Sequence, residues 1–364
     1  MLKLGLSLGL LTVLLSVANP VQAAHRWGLK TGTPDIKSAG QLAFGPDGIL
    51  FIGDSQGANL FAVDTGDGQS AAKKSEQKID NLSAKLEEAA GKAPVAVNDL
   101  AINPLSGNLY LSVSIGEEKK PAIVKIDGAG KLSVMKLENV PFLQATLPNP
   151  PEDKVTGEGP RARNNRQAAI TDIAFIDGKV LVSGLTSDKA SSRIREFPFP
   201  FADRESGANI EIYHANHGKL EDNAAVRAFI PMMIDGEPSI LAGFTCTPLV
   251  RFSLDSVESG KPVRGTTVAE LGNRNMPLDM VAYEQNGEKF LLMSNTARGV
   301  MKISTKDIGR KEGINEPVKG IAGQTYETIA PLEGTVQFDR LNDDQIVVII
   351  KNGDVLSLKT VALP

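Results

Sequence analysis

The chain is poor in the residues that most often carry cross-links or reactive chemistry. Its 364 residues hold one cysteine, Cys246, so no intramolecular disulfide framework is possible. Three histidines and a single tryptophan leave few imidazole ligands and little aromatic surface for stacking. No block of like charge is present: 39 basic and 43 acidic residues are well mixed and give a net charge of −4. That balance excludes the basic footprint of a nucleic-acid partner and the polybasic surface of a membrane-bound one. Beyond the first residues no apolar run approaches the ~20 residues that span a bilayer.

The one long apolar run is N-terminal. Lys3 precedes Leu4–Val17, and Val21-Gln22-Ala23 follows as a small-residue cleavage site, the pattern of a secretory signal peptide over residues 1–23. The mature chain is therefore expected in the periplasm or outside the cell, with no transmembrane segment once the signal is removed.

Residues 24–364 read as one all-β domain. With 35 glycines and 21 prolines spread from end to end, no linker separates two halves. Six segments share one plan of short apolar strand, glycine-containing turn, second strand, polar hairpin and third strand. They are 40–64 ("GQLAFGPDGILFIGDSQGANLFAVD"), 98–127, 171–197, 229–255, 278–304 and 335–361. Spacings of about 50 to 75 residues belong to propeller blades rather than helical solenoids. The expectation is a six-bladed β-propeller, with seven blades as the alternative. Because the sixth copy ends after its third strand, the N-terminal segment 25–34 is expected to supply the missing outer strand and close the ring. Two insertions interrupt the period. Residues 72–94 have Ile79, Leu82, Leu86 and Ala89 at helical spacing and predict a short helix, whereas 147–169 is a proline- and glycine-rich loop.

In an up-and-down blade with strands lettered A to D from the axis outward, D–A connections and B–C hairpins share one face. Both insertions are expected there, and so is ligand or partner binding. Aligning the A strands places Asp99, Asp172 and Asp279 in one register, with Gln41, Phe229 and Thr335 in the other copies. Asn98 directly precedes Asp99. Such carboxylates either accept backbone hydrogen bonds at blade junctions or, with Asn98, hold a hard cation such as calcium, or zinc. Arg161, Arg163 and Arg166 in the second insertion are candidates for an anionic ligand. His214 and His217 form an HxxH pair, and Cys246 lies on the next blade's hairpin. The three together would suit zinc or copper. Cys246 alone is either a buried small hydrophobe or a reactive thiol.

The copies "LAFGPDGILFIGDSQGANLFAVD" and "DLAINPLSGNLYLSVS" resemble blades of the NHL, SMP-30/gluconolactonase and strictosidine-synthase-like superfamily of six-bladed propellers. The resemblance covers most of residues 40–361 as blade pattern. Lactonases of that superfamily hold a divalent cation with a Glu near the first blade and Asn and Asp residues at later A-strand starts. The matching positions here are Gly40, Asn98, Thr171 and Leu278, of which Asn98 carries the expected residue type. Three functions thus stay open: a secreted propeller binding a small molecule or protein partner on its inserted-loop face; a metal-dependent lactonase or esterase at the channel mouth; and a copper-binding or redox protein using Cys246 with His214 and His217.

Overall fold

The computed structural model describes residues 26–71, 74–159, 162–187, 191–202, 205–246, 248–309 and 312–364. The expected signal peptide, Arg161 and Thr247 lie outside them. The chain is a six-bladed β-propeller, each blade a twisted antiparallel sheet. Strands of a propeller are covered on both sides by neighbouring blades, which is why Ile49–Asp54 and Gln345–Asn352 read as nearly unbroken apolar runs. The inner strands are Leu42–Phe44, Val95–Ile102, Asp172–Ile176, Val226–Ile234, Pro277–Gln285 and Thr335–Arg340. Among the described residues no helix is long and apolar enough to cross a membrane.

The blades do not follow one another around the ring in chain order. The inner strand of the second blade touches those of the first and the sixth, and the first blade's other neighbour is the third. Six apolar clusters repeat that order: Leu42 and Ile52 pack with Tyr110 and Ile123, and Leu109 and Leu111 pack with Val347 and Ile349. Ile49 and Phe51 pack with Ile173 and Val180 of the third blade. The sequence around the ring is thus second, first, third, fourth, fifth, sixth.

Two exchanged strands produce this order, and they correct the expectation for ring closure. The sixth blade is completed by Lys78–Ile79, from the chain that follows the first blade, pairing with Val355–Ala362. The first blade takes its fourth strand, Val140–Thr146, from the chain that follows the second. The N-terminal strand Lys30–Gly32 pairs outside Val140–Thr146 as a fifth strand and closes nothing. Only the start of the first insertion departs from its expected place: the helix stays on the D–A face, with Leu356 N donating to Ser83 Oγ and, beyond it, Gly116 N to Pro94 O. The insertion leaves the first blade on the A–B turn face, passes the Asn103–Asn108 turn of the second blade, and reaches the sixth blade's edge. Ile79 belongs to that edge strand, and the helix is confined to Leu82–Ala89. Asn81 caps it by accepting a hydrogen bond from Ala84 N at 2.9 Å. Leu82 and Leu86, one turn apart and fully buried, seal the junction of the second and sixth blades, each contributing about 1.5–3 kcal/mol of apolar burial.

Candidate functional site

All six inner strands begin in the same way, the first with Gly40 N on Gly53 O. The pairing with the B strand shifts by one residue between Val97 and Asp99, Val226 and Ala228, Pro277 and Asp279, and Thr335 and Gln337, and Thr171 N reaches Ser183 O beside the Asp172–Ser183 pair. Each extra residue is a β-bulge that turns the next side chain into the channel. Gln41, with its carbonyl on Gly53 N, stands at the same level in the first blade. The residues at this level around the channel are therefore Gln41, Asp172, Ala228, Asp279, Gln337 and Asp99, polar in every blade but the fourth. The expected register holds for Gln41 and the three aspartates. It fails in two blades, where the bulges at Arg227 and Val336 put Ala228 and Gln337 in the places expected of Phe229 and Thr335.

Each aspartate joins its blade to the next. Asp172 accepts from Ile173 N at 2.8 Å and, across the junction, from Phe229 N at 2.6 Å. Asp279 does the same with Met280 N at 2.7 Å and Phe338 N at 2.8 Å. Asp99 takes Leu42 N of the first blade at 2.7 Å. A fourth acid, Asp339, sits two residues further along the sixth blade and takes Ile102 N of the second at 2.7 Å. The Gln337 amide, oriented to satisfy its nitrogen, donates to Asp99 Oδ1 at 2.8 Å and Asp279 Oδ2 at 2.9 Å.

These acids are crowded, and among the described residues Arg340 and Lys74 offset only part of their charge, at Asp339. The channel leaves their surfaces half-buried, but enclosure by six inner strands dominates their titration. Burial pushes Asp172 up to about 7 and Asp339 up to about 6, against the hydrogen bonds that favour their ionised forms. Asp99 and Asp279 are held well above the usual range, by burial first and by the charges of the neighbouring acids in addition. The four acids line one end of a cavity of about 560 Å³. Its walls are the inner strands, with the rings of Phe229 and Phe338 turned into the blade cores, and it extends to Pro104, Asn342 and Asp343 of the A–B turns. The cavity thus approaches the face opposite the loop insertion, not the one expected to bind.

Of the other expected residues, two make contacts within the fold and one lies on the surface. Asn98 donates its amide to Ala39 O at 2.7 Å and Ser114 Oγ at 3.0 Å, tying the second blade to the first. Arg163 is exposed on the short ribbon Val155–Thr156 with Arg163–Asn164. Arg166 donates to Pro151 O at 2.6 Å and Gln56 O at 3.2 Å, pinning the second insertion to the first blade's hairpin.

His214 and His217 do come together, but their partner is Glu221 rather than Cys246. His214 ends the third blade's strand Ser206–His214, and Glu221 ends the returning strand Lys219–Glu221. The turn between them closes through His217 N and Gly218 N, both donating to His214 O, with Gly218 at φ 65°. The imidazoles lie 3.8 Å apart between centroids, tilted by 36°. Burial alone would raise the Glu221 carboxyl, yet the hydrogen bonds and charges of His217 and His214 outweigh it and hold it below the usual range. Cys246 sits half-buried at a left-handed position, φ 64°, with its N–H on Asn275 O of the fifth blade at 2.8 Å. It is not among the ligating side chains that converge at His214. Glu221 had a sequence signal, HANHGKLE, in which it stands four residues past His217.

No family model and no curated protein matches the chain. Solved structures match it over most of its length at low identity. PorZ, a bacterial surface component of the type-IX secretion system of Porphyromonas gingivalis, is 12% identical over 92% of this chain and 39% of its own, with a TM-score of 0.37. The chain thus spans about two fifths of PorZ. The PQQ-bound aldose sugar dehydrogenase of Streptomyces coelicolor is 15% identical over 92% of this chain and 97% of its own, at 0.34. A streptogramin B lyase is 13% identical with the same coverage, at 0.29. What the chain has in common with these proteins is the propeller fold.

Proposed function

We propose that this protein is an exported β-propeller that binds a small organic cation in its channel, admitted from the A–B turn face. The observation that carries this reading is the cavity ending on Asp99, Asp172, Asp279 and Asp339. Among the described residues Lys74 and Arg340 are the cations that line it, and Arg340 is already engaged by Asp343. A bound cation supplies counter-charge to this group of acids. The lactonase reading has less support, because Asn98 is committed to Ala39 and Ser114 and the aspartates already accept main-chain N–H groups.

Binding must displace protons from the acids, so affinity is expected to rise with pH through the range of about 5 to 7. A panel of primary, quaternary and polyamines screened by thermal shift, then titrated calorimetrically at several pH values, tests this. Asp279→Asn is expected to weaken the best binder by about 30-fold or more, the loss that follows removal of one buried charge partner. A best ligand that is neutral, or an affinity indifferent to both pH and Asp279→Asn, would rule the reading out. Export rests on the Lys3, Leu4–Val17 and Val21-Gln22-Ala23 pattern. N-terminal sequencing of the protein from its native cells should begin at Ala24, and a retained Met1 would contradict it.

A further inference from the structure

We infer that the His214–Glu221 hairpin, at the rim of the third blade and away from the channel, is a binding site for a divalent transition ion of the zinc kind. His214, His217 and Glu221 are the ligands, and Glu270 of the fourth blade supports the first of them.

The two imidazoles converge on one carboxylate. His217 Nδ1 lies 2.7 Å from Glu221 Oε1, and His214 Nδ1 lies 3.1 Å from Glu221 Oε2. All three ligating atoms fall within 4.8 Å of one another. A tetrahedral zinc ion bonded at about 2.0–2.2 Å holds adjacent ligand atoms about 3.3 Å apart, so small rotations of two side chains seat it. The hairpin fixes these side chains cheaply: His214 and Glu221 lie on paired strands, and the tight turn carries His217 over His214. His217 is 45% exposed and Glu221 12%, which leaves the fourth position open to water.

The independent observation is the far side of the His214 ring. His214 is 1% exposed, and its Nε2 has no hydrogen-bond partner. It faces Glu270 Oε2 at 4.0 Å. Glu270 is fully buried and already accepts from Ala215 N at 2.6 Å and Asn216 Nδ2 at 2.7 Å. If His214 Nδ1 carries the proton for Glu221, the Nε2 lone pair points at a buried carboxylate, an arrangement that costs free energy with nothing to offset it. An ion on Nδ1 reverses the tautomer and leaves the ring where it is. The proton then resides on Nε2 and points at Glu270, the carboxylate–histidine–metal relay that orients ligating imidazoles. Two imidazoles with one carboxylate and an open position suit zinc better than calcium, which takes six or more oxygens.

The test uses the tag-free mature protein, stripped with chelator and dialysed against zinc chloride, with bound metal measured by elemental analysis and affinity by calorimetry. One zinc per chain is expected, together with a higher melting temperature in zinc and none of this with calcium. His217→Ala and Glu221→Gln, both at the accessible side of the site, are expected to weaken binding by at least about 100-fold, the upper end of what loss of an outer-shell partner costs. Glu270→Gln should weaken it by about tenfold, whereas Cys246→Ser should leave it unchanged. Stoichiometric binding of copper with no zinc would overturn the assignment. So would zinc binding that survives in folded His217→Ala and Glu221→Gln, or wild-type protein that takes up no zinc. Channel variants such as Asp279→Asn should bind zinc normally, so failure here and failure of the channel reading are separate results.

Discussion

Melting temperature is expected to fall by roughly 5–10 °C between pH 5 and pH 8, at a few degrees per kcal/mol for a domain of this size. The cause is the channel acids. Their pKa values are raised in the folded state, so between the usual carboxylate range and about 7 the native protein holds protons that the unfolded chain has released. Unfolding then becomes easier with each step up in pH, at about 1.4 kcal/mol per unit for each such group, and the loss is complete above the folded pKa. Asp172 and Asp339 alone give about 2–4 kcal/mol over this interval once channel water is allowed for, with Asp99 and Asp279 adding in the same direction. Asp67 and Glu221 act oppositely, since their carboxyls are lowered in the fold. Their contribution is lost only below about pH 4.5, so the stability maximum should lie near pH 5. Asp172→Asn isolates the effect. Its amide oxygen still accepts from either Ile173 or Phe229, so the variant loses about 1 kcal/mol at acid pH and regains stability relative to wild type as the pH rises. Denaturation curves recorded from pH 4 to 9 decide the matter. A wild-type profile that is flat or rises from pH 5 to 8 would show that the acids titrate normally.

The same acids mark how far the sequence could be read. Asp99, Asp172 and Asp279 are legible because each opens a short apolar strand in a repeated plan, and the plan itself is legible because blades bury both faces. Asp339 and Gln337 escape that reading. In the sixth blade the bulge falls at Val336, and a one-residue slip along a strand exchanges its faces. The order of the blades was not legible for a different reason. Equivalent blades offer equivalent edges, so nothing local to Lys78–Ile79 or Val140–Thr146 states which sheet each will join. That choice is made by tertiary contacts of the connecting segment, and a single acid concentrates most of them.

That acid is Asp67, and Asp67→Ala is expected to destabilise the protein by about 3–5 kcal/mol and to loosen the crossing segment from the second blade. Asp67 Oδ2 accepts from Ser106 Oγ, Asn108 Nδ2 and Tyr110 OH, each at 2.9 Å, and lies 3.2 Å from Lys125 Nζ. Its carbonyl takes Asn103 Nδ2 at 2.6 Å. Burial would raise the carboxyl, but the bonds from Asn108, Ser106 and Tyr110 and the Lys125 charge outweigh it and hold it low. Tyr110 is 1% exposed, so removing the acceptor strands a buried hydroxyl beside a partly buried ammonium. The cost exceeds that of an ordinary surface ion pair, because several donors lose one partner at once. Beyond this anchor the chain is tied by Ala71 N on Leu105 O at 3.0 Å, Gln77 Nε2 on Asp127 O at 3.2 Å, and Gln77 N on Thr360 Oγ1 at 2.8 Å. These ties are weaker singly. Release at Asp67 should therefore expose the 65–77 segment to protease before the blades unfold, and the Leu82–Ala89 helix should gain mobility with it. Asp67→Asn keeps one acceptor and should lose about half as much. Chemical denaturation measures the loss, and limited proteolysis with mass spectrometry locates the first cut. A first cut elsewhere, with a stability change under about 1 kcal/mol, would mean that the exchanged edge strand is held by the sixth blade itself and not by the crossing.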